Sequence, residues 1–175
     1  MTYYPGNSGI GGGICTIEST ATLAENVISG NKAESHGGVF GRDITLINNL
    51  IQDNIGYFNS GGVGIGGNSI IIGNTIIGNS TTIHLSGGAG GLQIVWGDNV
   101  TISNNVIISN STSGYGGGIF MQNSNVNMTN NVINGNQADF DGDGIFIANS
   151  NCNIQHSTIN HNNTLGILVG NGQTW

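Results

Sequence analysis

Residues 105–110 read NVIISN, and this six-residue phrase decides the fold because close variants of it recur along the chain. Each copy opens with Asn or Ser, carries Ile at its third position and closes with Asn. The six copies occupy residues 26–31, 49–54, 74–79, 105–110, 131–136 and 157–162. Their starts lie 23, 25, 31, 26 and 26 residues apart. A repeat of this length indicates a stack of similar structural units.

Two further phrases fill the space between the copies. A glycine pair comes before an aliphatic residue, as in Gly117-Gly118-Ile119, and an alternating triplet comes before each Asn phrase, as in Val100-Thr101-Ile102. Alternation with a period of two indicates a strand whose outer two residues face the same way. Three short strands in each unit predict one coil of a parallel solenoid, with neighbouring coils about 4.8 Å apart. We therefore expect an all-β rod of about six to seven coils.

Stacking equivalent positions of the coils predicts ladders of identical side chains. The third residue of the phrase faces inward as an aliphatic ladder, whose members are Ile28, Ile51, Ile76, Ile107, Ile133 and Ile159. The last residue forms a turn ladder of Asn31, Asn54, Asn79, Asn110, Asn136 and Asn162. Asn suits such a turn because it tolerates left-handed backbone and its amide can bond the Asn of the next coil.

Composition excludes several classes of function. Of 175 residues, 2 are Lys or Arg and 9 are Asp or Glu, so the formal net charge is −7. Two basic residues cannot neutralise a phosphate backbone, so we expect no nucleic-acid partner. An anionic membrane surface is excluded for the same reason. The sequence also contains no run of about 18 apolar residues, so we expect no membrane-spanning segment.

The alternation of Gly-Gly-Ile or Gly-Gly-Val with Asn-x-Ile-x-x-Asn resembles right-handed parallel β-helix repeat proteins. In detail it is similar to the repeats of polymorphic outer-membrane proteins and very large bacterial surface proteins, although those favour Phe-x-x-Asn where this chain has Ile-x-x-Asn. The likeness covers residues 11–170. It implies a right-handed, single-stranded parallel β-helix in an extracellular or cell-surface location. It implies no single function, because this coil serves enzymes, tailspikes, adhesins and stalks.

Residues 1–175 are predicted to form one β-helix domain. We expect this domain to be a segment of a longer solenoid or an uncapped unit that stacks on itself, because solenoids need polar caps to stay soluble. Cys15 and Cys152 lie five coils apart, too far for a disulfide. Cys152 shares the inward position of Val100 and Val126, which predicts a small core residue.

Ligand-binding candidates lie on the loop between the Asn phrase and the glycine pair, which varies most between coils. Variable loops on a rigid scaffold commonly carry binding sites. These loops contribute Tyr57, His84 and Tyr115, and the strand that follows contributes Trp96, Phe120 and Phe146. Aromatic rings and histidines along one edge suit a glycan chain. The alternatives are that the loop aromatics cover their own backbone, and that the strand aromatics pack beneath a folded-over loop.

A calcium site is predicted at Asp139, Asp141 and Asp143. Alternating Asp followed by Gly matches the first half of a calcium loop, in which carboxylate oxygens converge. The glutamate expected at the twelfth position is Ser150, so the stretch is no EF-hand. The alternative is that this stretch is an ordinary turn that leads into the next strand.

Catalytic patterns are weak in this sequence. No histidine has metal-ligand spacing, and the Gly-x-Ser-x-Gly elbow is absent. Enzymes that act on polyuronates need a cation opposite the sugar carboxylate. The chain supplies only Lys32 and Arg42, so the one catalytic cluster considered is Lys32, Glu34, His36 and Arg42.

The sequence favours a non-catalytic extracellular solenoid that acts as a stalk, an adhesin or a filament-forming segment. Its expected partners are further copies of itself end to end, or neighbouring solenoid segments, and also glycans. The alternative is a lyase-like or hydrolase-like polysaccharide-active domain, or a glycan-binding domain, that uses the loop edge.

Overall fold

A computed structural model describes residues 9–82 and 88–170. This part of the chain contains strands and turns and no helix, so it has no helix that could cross a membrane. The strands are β1 (Ile14–Thr16), β2 (Ala21–Ala24), β3 (Val27–Ser29), β4 (Lys32–Ala33), β5 (Val39–Arg42), β6 (Ile44–Ile47), β7 (Leu50–Gln52), β8 (Ile55–Gly56), β9 (Val63–Gly67), β10 (Ile70–Ile72), β11 (Thr75–Ile77), β12 (Ser80–Thr81), β13 (Leu92–Gly97), β14 (Val100–Ser103), β15 (Val106–Ile108), β16 (Ser111–Thr112), β17 (Ile119–Gln122), β18 (Asn125–Thr129), β19 (Val132–Asn134), β20 (Gln137–Ala138), β21 (Ile145–Ala148), β22 (Asn151–Gln155), β23 (Thr158–Asn160) and β24 (Ile167–Gly170).

These strands stack into four parallel sheets, which confirms the predicted all-β solenoid. The first sheet has the order β1-β5-β9-β13-β17-β21-β24, and the second has β2-β6-β10-β14-β18-β22. The third runs from β3 to β23 and the fourth from β4 to β20, again one strand per coil. The prediction of three strands per coil was wrong, because the fourth sheet consists of two-residue strands. Two residues are too short to show a periodicity in the sequence.

The core consists of the inward ladders. The predicted isoleucine ladder is confirmed: Ile51, Ile76 and Ile107 lie in register on successive strands and are fully buried. Val100, Val126 and Cys152 also share one inward position. Both cysteines are free, as expected.

In the third coil the alternating triplet is Ile70-Ile71-Ile72, and the expectation that its outer two residues face inward was wrong by one residue. Ile70 pairs with Thr45 and faces outward, whereas Ser69 and Ile71 are fully buried. A buried serine needs hydrogen-bond partners. The Ser69 hydroxyl donates to the Gly66 carbonyl and accepts from the Ile44 backbone N–H. This satisfied hydroxyl lets a polar residue occupy an aliphatic position.

Each of the first six coils turns three corners through a single residue with positive φ. These residues stack as three ladders, which comprise Glu18, Asp43, Gly67, Trp96, Asn123 and Asn149 at the first corner, Glu25, Asn48, Gly73, Asn104, Asn130 and His156 at the second, and Gly30, Asp53, Gly78, Ser109, Gly135 and His161 at the third. Left-handed backbone is easiest for Gly, Asn and Asp. Ten of these 18 corner residues are Gly or Asn, so the corners explain part of the abundance of these two residues.

The predicted Asn ladder is confirmed as a stack of hydrogen-bonded side chains, but its expected left-handed backbone is not: at the third corner the residue before each Asn, such as Gly78 before Asn79, has the positive φ. A second Asn ladder follows the second corner in the same way. In the first, the Asn79 side-chain Oδ1 accepts from the backbone N–H and Nδ2 of Asn54, at 3.0 and 2.9 Å. Asn74 repeats this arrangement with Asn49, and Ser157 ends the second ladder by accepting from Asn131. The phrase begins and ends with Asn because each end belongs to a ladder. End-to-end association of copies stays a prediction.

Candidate functional site

A groove of about 250 Å³ lies on the outer face of the first sheet. Its lining comes from successive coils, so it follows the long axis of the rod. The side chains that line it and carry chemistry are His36, Phe40, Arg42, Asn59, Gln93 and Trp96. Its floor includes Gly66, and the outward position next to Gly66 on the same strand is Gly64. A strand glycine often marks a close approach by another group, and both glycines make room for groove side chains.

His36 forms one wall of the groove. Its imidazole lies over Gly64, where any Cβ would collide with the ring. The ring stacks on Phe40 with centroids 4.5 Å apart, and Nδ1 lies 2.9 Å from the Ser60 hydroxyl. Burial lowers the pKa of His36 to about 4, so the imidazole is neutral at pH 7. Ser60 is fully buried, so this pair does not present a serine nucleophile to the groove.

Arg42 lies at the end of β5 and brings a cation to the groove. Its guanidinium lies against Gly66, within 3.4 Å of the place where a Cβ would be. The neighbouring acid, Asp43, is occupied by Asn68, whose backbone N–H donates to Oδ1 at 2.7 Å. That bond is the main cause that lowers the pKa of Asp43, and the charge of Arg42 contributes least. No described residue that lines the groove is a carboxylate.

Trp96 forms the rim of the groove and is 60% exposed. It lies in a bulge: Ile94 pairs with Ile65 and Gly97 pairs with Gly67, so β13 has one residue more than β9 in this interval. Trp96 has the positive φ of the first corner, 57°, as Gly67 and Asn123 do in the neighbouring coils, although in the strand register it is Gly97 that pairs with Gly67. Left-handed backbone costs a large L-residue about 1–2 kcal/mol. Strain of this kind concentrates at functional sites.

The family comparison agrees with this architecture. A family model described as a right handed beta helix region matches residues 7–139 and 81–174. The chain belongs to the right-handed β-helix family. Comparison with curated proteins and with solved structures gave no match. The resemblance inferred from the repeats is confirmed, and the groove lies on the outside of a β-helix sheet.

The other aromatic candidates of this β-helix lie apart from the groove. Phe120 is 3% exposed and stacks on Phe146, with ring centroids 5.4 Å apart. Tyr115 packs on both Phe146 and Phe140, at 4.6 and 5.2 Å. Phe120 is therefore not an exposed platform, and it is the neighbouring Phe146 on which the loop residue Tyr115 packs. Tyr57 is 42% exposed outside the groove lining, and His84 lies outside the described residues.

The three acids of the predicted calcium site are not brought together as a ligand set. Asp143 is fully buried, and its carboxylate accepts hydrogen bonds from Ala138 N–H, Thr164 N–H and hydroxyl, and Leu165 N–H, at 2.7–2.9 Å. Burial opposes ionisation, but these donors together hold the pKa of Asp143 below its ordinary value. Among residues 9–82 and 88–170, no three His, Cys, Asp or Glu residues form a metal-binding group. The calcium site stays a prediction, and Asp143 joins two coils.

The structure places only two of the four residues of the candidate catalytic cluster in the groove. His36 and Arg42 line the groove, whereas Lys32 and Glu34 are exposed and do not line it. The sequence reasoning missed Asn59 and the glycine floor. The signal for the floor was the stretch VGIGG at Val63–Gly67, because glycine at alternate strand positions leaves one face without side chains.

Proposed function

We propose that this β-helix is a non-catalytic, extracellular or cell-surface module that binds a carbohydrate chain in the groove, as an adhesin does. One observation carries the proposal: coil 4 places a strained, exposed Trp96 at the rim of a groove in a position where the neighbouring coils use Gly67 and Asn123. A tryptophan lowers the stability of the protein at this position, and a role in ligand binding would explain why it is there.

The chemistry of the lining supports a sugar ligand. The indole offers a flat apolar surface to the C–H face of a pyranose ring, and the exposed Arg42 guanidinium offers hydrogen-bond donors to sugar hydroxyls. Ligand sites combine an apolar or aromatic lining with a few placed polar groups. Because the groove follows the rod axis across several coils, an elongated chain suits it better than a compact molecule.

The lining also supports binding without turnover. A glycosidase needs two carboxyl groups about 5–9.5 Å apart. The described residues that line the groove include no carboxylate, and the buried Ser60 is not available as a nucleophile. The ladders of hydrogen bonds support a rigid display of the groove, which agrees with a stalk or adhesin role.

The test compares glycan binding by wild type and Trp96→Asn, measured by glycan array and by isothermal titration with the oligosaccharides that bind. Asn is the residue that occupies this corner in coils 5 and 6. We expect at least a tenfold weaker association, since a lost aromatic contact of about 1.5 kcal/mol corresponds to about that factor. The matched control, Tyr57→Asn, removes an exposed aromatic outside the groove and should bind like wild type. Unchanged binding by Trp96→Asn would contradict the proposal.

A polysaccharide-active domain is the second candidate, because His36 and Arg42 share the groove. A neutral imidazole can accept a proton, and a guanidinium can face a developing anion. Incubation with acidic and neutral glycans, followed by detection of new reducing ends and unsaturated products, separates this candidate from pure binding. Turnover that His36→Gln abolishes would establish the enzyme and exclude the non-catalytic proposal.

A further inference from the structure

A second groove lies on the outer face of the second sheet and shares no lining residue with the groove of the first sheet. It has a volume of about 480 Å³, and its walls are two rows of asparagines on β18 and β22. Asn125 pairs with Asn151 in one row, and Asn127 pairs with Asn153 in the other. All four side chains are exposed, and we call this site the asparagine groove.

The floor of the asparagine groove is closed and unreactive. Val126 and Cys152 pair with each other between the two rows, and Val126 is buried because its side chain belongs to the core. Burial raises the pKa of the Cys152 thiol to about 11, so the thiol stays protonated at pH 7 and supplies no nucleophile. The Ser150 hydroxyl is engaged as well, since it donates to the Ala148 carbonyl and accepts from the Ser124 N–H. The amides of the two rows are therefore the groups that remain to contact a ligand.

These amides are held at a regular spacing. Asn151 Nδ2 donates to Asn125 Oδ1 at 3.0 Å, and this bond orients the first row. Asn127 and Asn153 have no hydrogen-bond partner within the described part of the chain, so the second row keeps its full bonding capacity. Neighbouring strands lie about 4.8 Å apart and alternate residues of a strand about 6.6 Å apart, so the four amides form the corners of a small rectangle.

The chemistry of the asparagine groove favours a ligand that is uncharged and rich in hydroxyl groups. No described residue of its lining is charged, and the chain carries a formal net charge of −7, so the site offers an anion no counter-charge. An apolar ligand would leave the amides unpaired, which costs free energy. A hydroxyl donates and accepts, as a carboxamide does, so the two pair without burial of a charge. A peptide that adds as a strand needs the edge of a sheet, whereas these amides lie on its face.

We propose that the asparagine groove is a second binding site, which takes an uncharged, polyhydroxylated chain such as a neutral polysaccharide along the rod axis. The row of Asn127 continues through the preceding coils with threonines, interrupted by one aliphatic residue in coil 3. These threonines are Thr101, Thr45 and Thr22. A longer chain would therefore meet further hydroxyl groups beyond the groove. The site does not depend on Trp96, which belongs to the first sheet.

The experiment measures the Kd of cellohexaose, xylohexaose and mannohexaose by isothermal titration, with Trp96→Asn as the parent protein so that the groove of the first sheet loses its rim. We expect the parent to bind at least one of these neutral probes. Adding Asn127→Ala and Asn153→Ala together should weaken that binding about tenfold, because two hydrogen-bonding side chains are lost. The matched control adds Asn134→Ala and Asn160→Ala, which remove a paired row of outward asparagines from the third sheet in the same two coils, and it should bind like the parent.

Failure of all three neutral probes to bind the parent, or an equal loss in the two double variants, would overturn this inference. Equally tight binding of hexagalacturonate, or binding of the peptide acetyl-(Gly-Ser)3-amide in place of the saccharides, would overturn the ligand class. None of these outcomes bears on the carbohydrate-binding proposal for the first sheet, which the comparison of wild type with Trp96→Asn decides. Thermal melts establish that each variant is folded. If the Asn127 and Asn153 variant does not fold, the side-chain amide signals of the parent in nitrogen-15 NMR decide, since saccharide that leaves the Asn127 and Asn153 signals unmoved would also overturn the inference.

Discussion

At the residue scale, Trp96 shows how a functional residue can oppose its local backbone. Its corner is left-handed in every one of the six coils, and the other occupants are Glu18, Asp43, Gly67, Asn123 and Asn149. Four of these five are glycine, Asp or Asn, which tolerate this conformation because they avoid the steric clash of a large side chain or offset it by local hydrogen bonds. Trp96 has neither advantage, and its 60% exposure leaves little packing to compensate.

We therefore expect Trp96→Asn to stabilise the protein by about 1 kcal/mol while it weakens ligand binding. Urea unfolding followed by circular dichroism measures the free energy. Asn123→Trp is the reciprocal control, since it places the strained residue at the same corner of the next coil, and it should destabilise by a similar amount. A loss of stability in Trp96→Asn would show that the indole contributes packing that exceeds its strain.

His36 predicts a dependence of stability on pH. Burial lowers its pKa from 6.5 to about 4, so the unfolded chain takes up this proton first as the pH falls. The contribution of the neutral imidazole is fully present above about pH 6.5 and is lost progressively toward pH 4, with a total of about 3 kcal/mol. Urea unfolding at pH 7.5, 6 and 5 should show this decline in wild type.

His36→Gln should be flatter over the same range, because glutamine does not titrate. His161→Asn is the matched control: it removes an exposed imidazole from a left-handed corner and should follow the wild-type decline. Equal slopes in wild type and His36→Gln would refute the assignment.

At the element scale, the two Asn ladders hold one coil on the next. The Asn79 side chain accepts from Asn54 and donates to the Ile51 and Ile77 carbonyls and to Asn110. All of these groups are buried or partly buried, so water cannot readily replace the amide. A ladder residue is therefore more costly to remove than a surface asparagine.

Asn79→Ala should destabilise the protein by about 3–5 kcal/mol, because it leaves the buried Asn54 N–H and Ile51 carbonyl without partners. Chemical unfolding measures the loss. Asn127→Ala is the control, since Asn127 lies on the exposed face of β18, and the change should stay within about 0.5 kcal/mol. Similar losses in both variants would mean that the ladder contributes no more than surface asparagines do.

The same ladders explain which parts of the fold were predictable. Ile76 and Asn79 occur at a fixed offset in each repeat, so the inward ladder and the Asn ladder follow from the phrase alone. The fourth sheet was not predicted because strands such as β12 have only two residues. The inward position of Ser69 was not predicted because a serine whose buried hydroxyl is hydrogen-bonded looks like a surface residue in a sequence.

The groove was predictable only in part. The chemistry of Trp96, His36 and Arg42 makes them candidates in the sequence, but a one-residue bulge and the glycines of β9 bring them to one groove, and neither effect is visible in the sequence. Phe120 and Trp96 lie on neighbouring strands of the first sheet and look alike in the sequence, whereas in the structure Phe120 is buried and stacks on Phe146. Side-chain exposure on the outer face of a sheet depends on neighbouring coils, which periodicity does not describe.

At the scale of the whole molecule, coil 4 shows that the rod keeps its Asn ladder while the length of a coil changes. The interval from Asn79 to Asn110 is six residues longer than the 25 residues from Asn54 to Asn79, yet the backbone N–H to Oδ1 distance is 3.0 Å in both steps. The added residues therefore leave the stacking undisturbed. A loop inserted between the Asn phrase and the glycine pair of any one coil should likewise leave the stacking of the coils intact. New binding surfaces can therefore arise one coil at a time, without changes to the rest of the rod.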